Sequence, residues 1–307
     1  MITVIWGATF VVIKNALADI SVLLFNAVRL SLAAVTLGLV FHREIVRITR
    51  GAAGYGALLG FLMWAGSELQ ISGLKYTMPS KSAFLTGMAV VLVPVFLALF
   101  WKRPIGLWSA AGVGLAFAGL YLLTVPRSDA AGLASVSRGD LLTLVAAVVF
   151  AFHIIYMGHA TEKHPWQQIA VLQTATCAVL MTIVVPVGPP SYVVWSSRVI
   201  WGILITGFLS LALAFTIQAW AQQFTPATHT ALIFSLEPVF AALTSFVFLG
   251  ERLGARGLVG AALILGGVII SEEKGTTESM AVPPDHAAVP QTLSPQPADS
   301  VKNRNIG

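Results

Sequence analysis

The chain is a succession of apolar stretches, each about 17 to 25 residues long, parted by short polar punctuations. No other feature limits the fold so tightly. A hydrocarbon core is about 30 Å thick, and an α-helix rising about 1.5 Å per residue crosses it in about 20 residues. No water inside that core can satisfy backbone N–H and C=O groups, so each stretch must close its hydrogen bonds within itself. The weak alternation of barrel strands is not the pattern seen. Composition agrees, with 57% hydrophobic and only 10% charged residues and a mean hydropathy of +0.84, outside the range of a soluble domain. The sequence therefore predicts an all-α, multi-pass integral membrane protein whose first partner is the lipid bilayer.

Ten spans are read at about 1–18, 22–41, 51–73, 79–101, 105–125, 139–158, 166–187, 198–222, 227–249 and 254–271. The first is short and has no charge before it, so helix 1 begins within the bilayer or the native start lies upstream. A charged n-region and a small-residue cleavage site are both missing, so no cleavable signal peptide is read. After Lys274 the chain turns to "GTTESMAVPPDHAAVPQTLSPQPADS", a composition that predicts a disordered tail over 273–307. Cys177 is the only cysteine, which rules out an internal disulfide. The formal charge of +5 comes mostly from Arg and Lys in loops. It reads as a topology signal, and no nucleic-acid partner is implied.

Shifting the chain by 148 residues without a gap superimposes Arg50 on Arg198, Gly54 on Gly202, Gln70 on Gln218, Thr77 on Thr225, Ala83 on Ala231 and Val91 on Val239. The register continues through Phe100 and Phe248, Gly106 and Gly254, Gly112 and Gly260, Leu115 and Leu263, and Gly119 and Gly267. Arg, Gln and glycine identities carry more weight than Leu or Val would, so the repeat reads as a duplication. Each half holds five spans, and an odd number turns the copies over in the membrane. The expected architecture is ten transmembrane helices as two inverted five-helix repeats: residues 1–125 (helices 1–5), a linker at 126–138, residues 139–272 (helices 6–10), and the tail. Inverted repeats are a transporter arrangement, with the substrate near the midplane where the halves meet.

These residues resemble the drug/metabolite transporter superfamily of the EamA type. The resemblance lies in "WGATFVVIK" in helix 1, "GLKYTMPSKSAFLTGMAVVLVPVF" across helices 3 and 4, and "ATHTALIFSLEPVFAALTSFVFLGERL" across helices 8 and 9, and it covers about residues 1 to 272. It implies ten helices, cytoplasmic termini, and a central cavity lined mainly by helices 1, 3, 4, 6, 8 and 9. It also implies transport of small metabolites or drugs, usually export. Charge supports the orientation through the first half, where "HREIVRITR" sits between helices 2 and 3 and early segments often dominate. Trp101, Trp108, Trp166, Trp195 and Trp201 fall near span ends and read as interface anchors.

Of thirteen acidic residues only Glu68 and Glu237 sit well inside spans. An ionised Asp or Lys at a helix centre costs roughly 2.5–3.5 kcal/mol on insertion scales, and Glu falls near that. Glu237 precedes Pro238, which frees a helix carbonyl; the residue is either a structural acceptor there or a cavity carboxylate that changes protonation or accepts a substrate amine. Glu68 is either a second cavity carboxylate or the ion-pair partner of Lys81 or Lys75. Gln70 and Gln218 are related by the repeat and offer amides to a neutral or zwitterionic ligand, with interhelical bonding as the competing reading. The same shift relates Lys81 to His229, two cations at opposite ends of the cavity unless they snorkel. Trp6 and Thr9 share one helical face, and His153 and Tyr156 in helix 6 can line the cavity or simply pack. Arg29 matches a position where the family often has Arg, and is read as pairing with a carbonyl or a loop carboxylate rather than touching substrate. The glycines of "AAGVGLAFAGL" and "GLVGAALILGG" read as close helix packing.

No GxxxxGK[ST] phosphate loop or HExxH metal pair is present, and no cofactor or metal is implied. The leading function is secondary transport: export of a small metabolite, amino acid or drug by alternating access across a bacterial plasma (inner) membrane, with a proton as candidate coupling ion. The alternative is a membrane-embedded enzyme or lipid-handling protein using Glu237 or His153 as acid or base. Reporter fusions after Lys102 and after Lys274 are expected to report cytoplasm, and one after Arg127 the outside. A periplasmic signal from the Lys102 fusion would sink the orientation.

Overall fold

Residues 1–77, 82, 85–103, 105–124, 137–249 and 254–281 are described by the structure, a computed structural model of the chain. Nearly all of them are helical. Helix α1 spans Ile2–Ala16 and α2 Val22–Val40, followed by the short α3 at His42–Ile45 and the long α4 at Arg50–Tyr76. Then come α5 at Ala89–Trp101 and α6 at Leu107–Thr124. The second stretch holds α7 at Arg138–Lys163, α8 at Trp166–Val184 with a 3-10 turn to Val187, α9 at Ser197–Ile205, a π-helical segment at Thr206–Leu213 and α10 at Ala214–Ala221. It ends with α11 at Ala227–Phe234, α12 at Glu237–Leu249 and α13 at Ala255–Ala281.

Local chemistry places several of these starts. Thr49 accepts from the Ala52 amide at 3.2 Å to open α4, and Ser137 and Asp140 form a reciprocal capping box at the start of α7, satisfying N–H groups that a helix cannot satisfy internally. Asp140 also accepts from Thr77 Oγ1 at 2.7 Å, which joins the end of α4 to the start of α7. Pro165 and Pro226 stand immediately before α8 and α11, where a missing N–H is harmless.

Five helical runs are long and apolar enough to cross a membrane, Val22–Val40, Arg138–Lys163, Trp166–Val187, Ser197–Ala221 and Ala227–Thr244, and shorter apolar helices occupy Ile2–Ala16, Leu85–Trp101, Leu107–Leu122 and Ala255–Ser271. The outer surface is itself apolar: Leu39, Leu99, Trp195, Trp201 and Leu258 are all well exposed. Lipid tails are as apolar as leucine, so association of the helices depends on close van der Waals packing rather than on removal from water. Small residues supply it. A Cβ added at Gly112 would stand 2.6 Å from the Gly267 carbonyl oxygen, one at Gly267 would stand 2.6 Å from the Gly112 oxygen, and one at Gly119 would stand 2.5 Å from the Gly260 oxygen. Helices α6 and α13 therefore cross antiparallel with backbones nearly touching, as the sequence predicted for these glycines.

Three expected spans depart from a simple rod. The span read at 227–249 is broken at 235–236, where Ser235 Oγ donates to the Leu232 carbonyl at 2.6 Å; Pro238 has no N–H to continue the ladder and its ring crowds the preceding turn. The span read at 198–222 carries the π segment in its middle. The described part of the span read at 79–101 has a turn at Met88 before α5. The last helix runs to Ala281, beyond the boundary set at 272, because Ser-Glu-Glu-Lys suits a helix and the first proline comes only at 283. The linker between the halves lies largely outside the described residues, as does the chain from 282 onward.

Gly112→Leu and Gly267→Leu are each expected to destabilise the protein by about 1–3 kcal/mol through overpacking. Gly114→Ala, with nothing within 4 Å of the new methyl, should be close to neutral. Melting temperatures of the three variants in one detergent check the contrast.

Candidate functional site

A cavity of about 120 Å³ lies where α1, α4, α7, α10 and the broken helices meet, and residues of α2 and α5 complete its wall. Its polar wall holds Thr9, Arg29, Ser67, Gln70, Thr86, His153, Ser210, Gln218, Ser235 and Glu237. Its apolar wall includes Trp6, Phe10, Phe150, Phe215 and Phe234. Among helical proteins in lipid, polar groups are gathered in this way only where a ligand, water or one another can meet them.

The aromatic side is locked from several directions. Trp6 Nε1 donates to the Ser210 carbonyl at 3.0 Å, and its ring lies 5.1 Å from Phe215 and 5.0 Å from Phe234. Ser210 belongs to the π segment, whose wider turn disturbs the regular carbonyl pairing, and such segments recur at functional sites. Thr9 Oγ1 donates back to the Trp6 carbonyl at 2.9 Å, so the two residues do share the cavity face of α1. Glu237 opens α12 and stands beside α1, whose Gly7 has no side chain because an added Cβ would be 2.7 Å from the Glu237 carbonyl oxygen.

The amides form a second group. Gln70 Nε2 donates to Thr86 Oγ1 at 3.2 Å. Gln218 Nε2 donates to Gln222 Oε1 at 2.9 Å, and Gln222 Nε2 in turn to the Ile154 carbonyl at 2.8 Å. Gln218 Oε1 has no protein partner among the described residues. His153, on α7, bonds through Nε2 to Gln173 Oε1 of α8 at 2.9 Å, and both residues are buried. With an amide oxygen accepting, His153 carries its proton on Nε2.

Arg29 and Glu237, the strong base and the acid of the wall, differ in their support. Arg29 is buried and donates from Nε to Asn26 Oδ1 at 2.9 Å, while its two terminal nitrogens have no hydrogen-bond partner among the described residues. Among the same residues no hydrogen bond or ion pair engages the Glu237 carboxylate, and none joins it to Arg29. Arg29 and Glu237 thus line one small cavity with no ion pair between them.

Several sequence expectations are placed differently. Glu68 is not on the cavity wall and is not ion-paired to Lys75: it accepts from Asn26 Nδ2 at 3.1 Å and from Ser72 Oγ at 3.0 Å, one layer behind Arg29. Arg29, read as a residue that would not touch substrate, lines the cavity, because its stem is long enough for α2 to present the fork from behind α4. Tyr156 is turned away into a cluster with Trp101 at 5.8 Å and His159 at 6.4 Å. His229 is buried in α11 but off the cavity wall, since Ala231, Phe234 and Ser235 take that face of the helix. Lys81 lies outside the described residues. Trp6, Thr9, Gln70, His153, Gln218 and Glu237 do line one cavity. Asn26 drew no attention in the sequence; an Asn three residues before an Arg inside an apolar helix was the available signal.

The sequence pattern of the EamA-like transporter family matches residues 1–125 and 137–272. An uncharacterized transporter of Archaeoglobus fulgidus is 32% identical over 277 residues, covering 88% of this chain and 83% of that protein. A probable amino-acid metabolite efflux pump of Salmonella typhimurium is 25% identical, over 88% of this chain and 92% of that protein. A solved crystal structure superimposes with a TM-score of 0.72 at 17% identity, covering 92% of this chain and 96% of the other, which is a likeness of fold.

The buried His153 pair yields a stability test. Gln173→Leu leaves the His153 Nε2–H without its acceptor, and is expected to cost about 1–3 kcal/mol. A melting temperature within error of wild type would show that another group or water takes over the bond.

Proposed function

The chain belongs to the EamA-like transporter family, which makes it a multi-pass membrane transporter rather than an enzyme, and from that premise we propose that its solute is a small zwitterion of the amino-acid type. One observation carries the reading: Arg29, with two terminal nitrogens that have no hydrogen-bond partner among the described residues, and Glu237 line the same cavity without an ion pair between them. A fork of N–H donors matches a carboxylate in plane and charge, and a carboxylate in a desolvated wall is the natural partner of an ammonium. The aromatic wall of Trp6, Phe215 and Phe234 accepts an apolar side chain. The printed name of the Salmonella relative points to the same chemical class.

The solute crosses by alternating access between two inverted five-helix halves, with export as its direction and a proton as the coupling ion, in a bacterial inner membrane with both termini cytoplasmic. Helix bounds support the duplication: α5 and α12 are Ala89–Trp101 and Glu237–Leu249, and α6 and α13 begin at Leu107 and Ala255, each pair 148 residues apart. The turn at Met88 and the break at Leu236 obey the same shift. So do the glycine crossings, since 112 meets 267 and 119 meets 260, where 267 is the repeat partner of 119 and 260 that of 112. Helices α4 and α7 run antiparallel, with Gly66 against Phe150 and Gly73 against Gly139, whereas α4 and α8 run parallel, with Gly56 against Leu172 and Gly60 against Thr176. That alternation is the one ten crossings require. Broken helices near a midplane site are the device by which inverted-repeat transporters present backbone groups to solute.

Purified protein in liposomes is expected to move labelled L-leucine unchanged, and a melting-temperature screen is expected to pick amino acids over sugars and polyamines. Glu237→Gln should abolish or strongly slow transport and alter its pH dependence; wild-type rate and an unchanged pH profile would make Glu237 structural. Replacing Gln70 or Gln218 by Ala should weaken binding by about 0.5–1.5 kcal/mol each. If both amides touch one ligand the double variant will deviate from additivity, whereas additive, near-zero effects would assign the pair to helix packing.

A further inference from the structure

Behind the cavity wall, α2 and α4 are joined by a directed chain of hydrogen bonds. Arg29 Nε donates to Asn26 Oδ1 at 2.9 Å, Asn26 Nδ2 donates to Glu68 Oε2 at 3.1 Å, and Ser72 Oγ donates to Glu68 Oε1 at 3.0 Å. Asn26 is fully buried and Arg29 nearly so. The Phe25 ring, 5.2 Å from Arg29 Cζ, bounds the guanidinium on another side.

The order of this chain matters. A carboxylate meeting a guanidinium directly would take two donors of the fork at once and neutralise it. Here an amide stands between Glu68 and Arg29, so only Nε is engaged and the two terminal nitrogens stay available to the cavity. A guanidinium on a long stem has many rotamers, and only a fixed plane lets its two terminal nitrogens meet a carboxylate in the cavity as a fork. The bond at Nε fixes the plane of the fork, and Glu68 fixes the amide that makes that bond.

We infer that Asn26 and Glu68 are positioning residues that hold the Arg29 fork toward the cavity, and so set the carboxylate half of the site's preference for a zwitterion. The inference rests on the zwitterion reading for its ligand, but not for its geometry. Glu68 can only accept and Asn26 relays, so the polarity of the chain can be reversed on paper. Asn26→Asp combined with Glu68→Gln keeps every link, but sets a carboxylate directly against the guanidinium, where it can take two donors and neutralise the fork. The net charge of the cluster is unchanged.

The test uses purified full-length protein with three probes: L-leucine, 4-methylpentanoate, which lacks the amine, and L-leucinamide, which lacks the carboxylate. Asn26→Ala is expected to weaken leucine and 4-methylpentanoate by about tenfold, the scale of one charge-assisted hydrogen bond, and to leave leucinamide within about twofold. Asn26→Asp with Glu68→Gln, which holds the guanidinium but places a carboxylate on it, should weaken leucine and 4-methylpentanoate at least as much as Asn26→Ala, whereas Glu68→Gln alone, which keeps Asn26 and an acceptor for it, should leave all three probes within about twofold. In ligand-free protein the Arg29 Nε–H resonance, identified by its loss in Arg29→Lys, should exchange slowly in wild type, in Glu68→Gln and in the double variant, and fast in Asn26→Ala. No weakening or equal weakening of all three probes by Asn26→Ala, or a double variant that binds the carboxylate probes like wild type, overturns the inference. If wild type binds none of the probes while the resonance follows the expected pattern, the positioning role stands and the zwitterion reading falls. Should Asn26→Ala not fold, Glu68→Gln and the double variant carry the comparison.

Discussion

In the hydrocarbon of a bilayer an unsatisfied backbone N–H or C=O costs several kcal/mol, and everything in this molecule is arranged around that penalty. Long helices meet it by themselves. Among the described residues, and apart from the span ends, the backbone leaves regular helix within a span at three places: the turn at Met88, the π segment at Thr206–Leu213 and the break at 235–236. Gly87, Ser210 and Ser235 from these three places all lie on the cavity wall. Side chains take over where the ladder fails, with Trp6 Nε1 on the Ser210 carbonyl and Ser235 Oγ on that of Leu232. Irregular backbone is tolerated there because it lines a cavity, and on the proposed reading it brings carbonyls and helix starts within reach of the solute.

Charge is rationed by the same logic. Arg29 and Glu237 line one cavity with no ion pair between them; Asn26 accepts from the first, and the start of α12, pressed against Gly7, carries the second. On the proposed reading a zwitterion satisfies both groups together, whereas a ligand with one charge leaves the other desolvated. That difference is a source of selectivity that needs no close fit to the solute side chain.

Tight helix contacts carry the remaining burden, since lipid gives helices no hydrophobic reason to associate. At the α6–α13 crossing glycine backbones meet directly, and at the α4–α8 contact Gly56 and Gly60 receive Leu172 and Thr176. Such contacts leave little room for a larger side chain, and on the proposed reading they hold together the bodies that rock against each other. The cavity lies between them, walled by helices from both halves of the chain.

Much of this was legible in the amino-acid order because periodicity, glycine spacing and the bilayer thickness act locally along the chain. The spans, the 148-residue repeat, the packing glycines and the cavity-facing Trp6, Thr9, Gln70, His153, Gln218 and Glu237 all follow from positions on single helices. What the order did not disclose depends on distances between helices. Glu68 and Arg29 are a case in point: each is an isolated ionisable residue in its own span, and only the packing of α2 on α4 shows that Asn26 bridges them, with Arg29 on the cavity wall and Glu68 off it. Tyr156 and His229 sat in suitable spans but on faces claimed by neighbouring helices. Which residues are apolar enough to enter the membrane is set by composition along one chain; which polar side chain faces solute is set by the angle at which another helix meets it, and that angle exists only in the folded bundle.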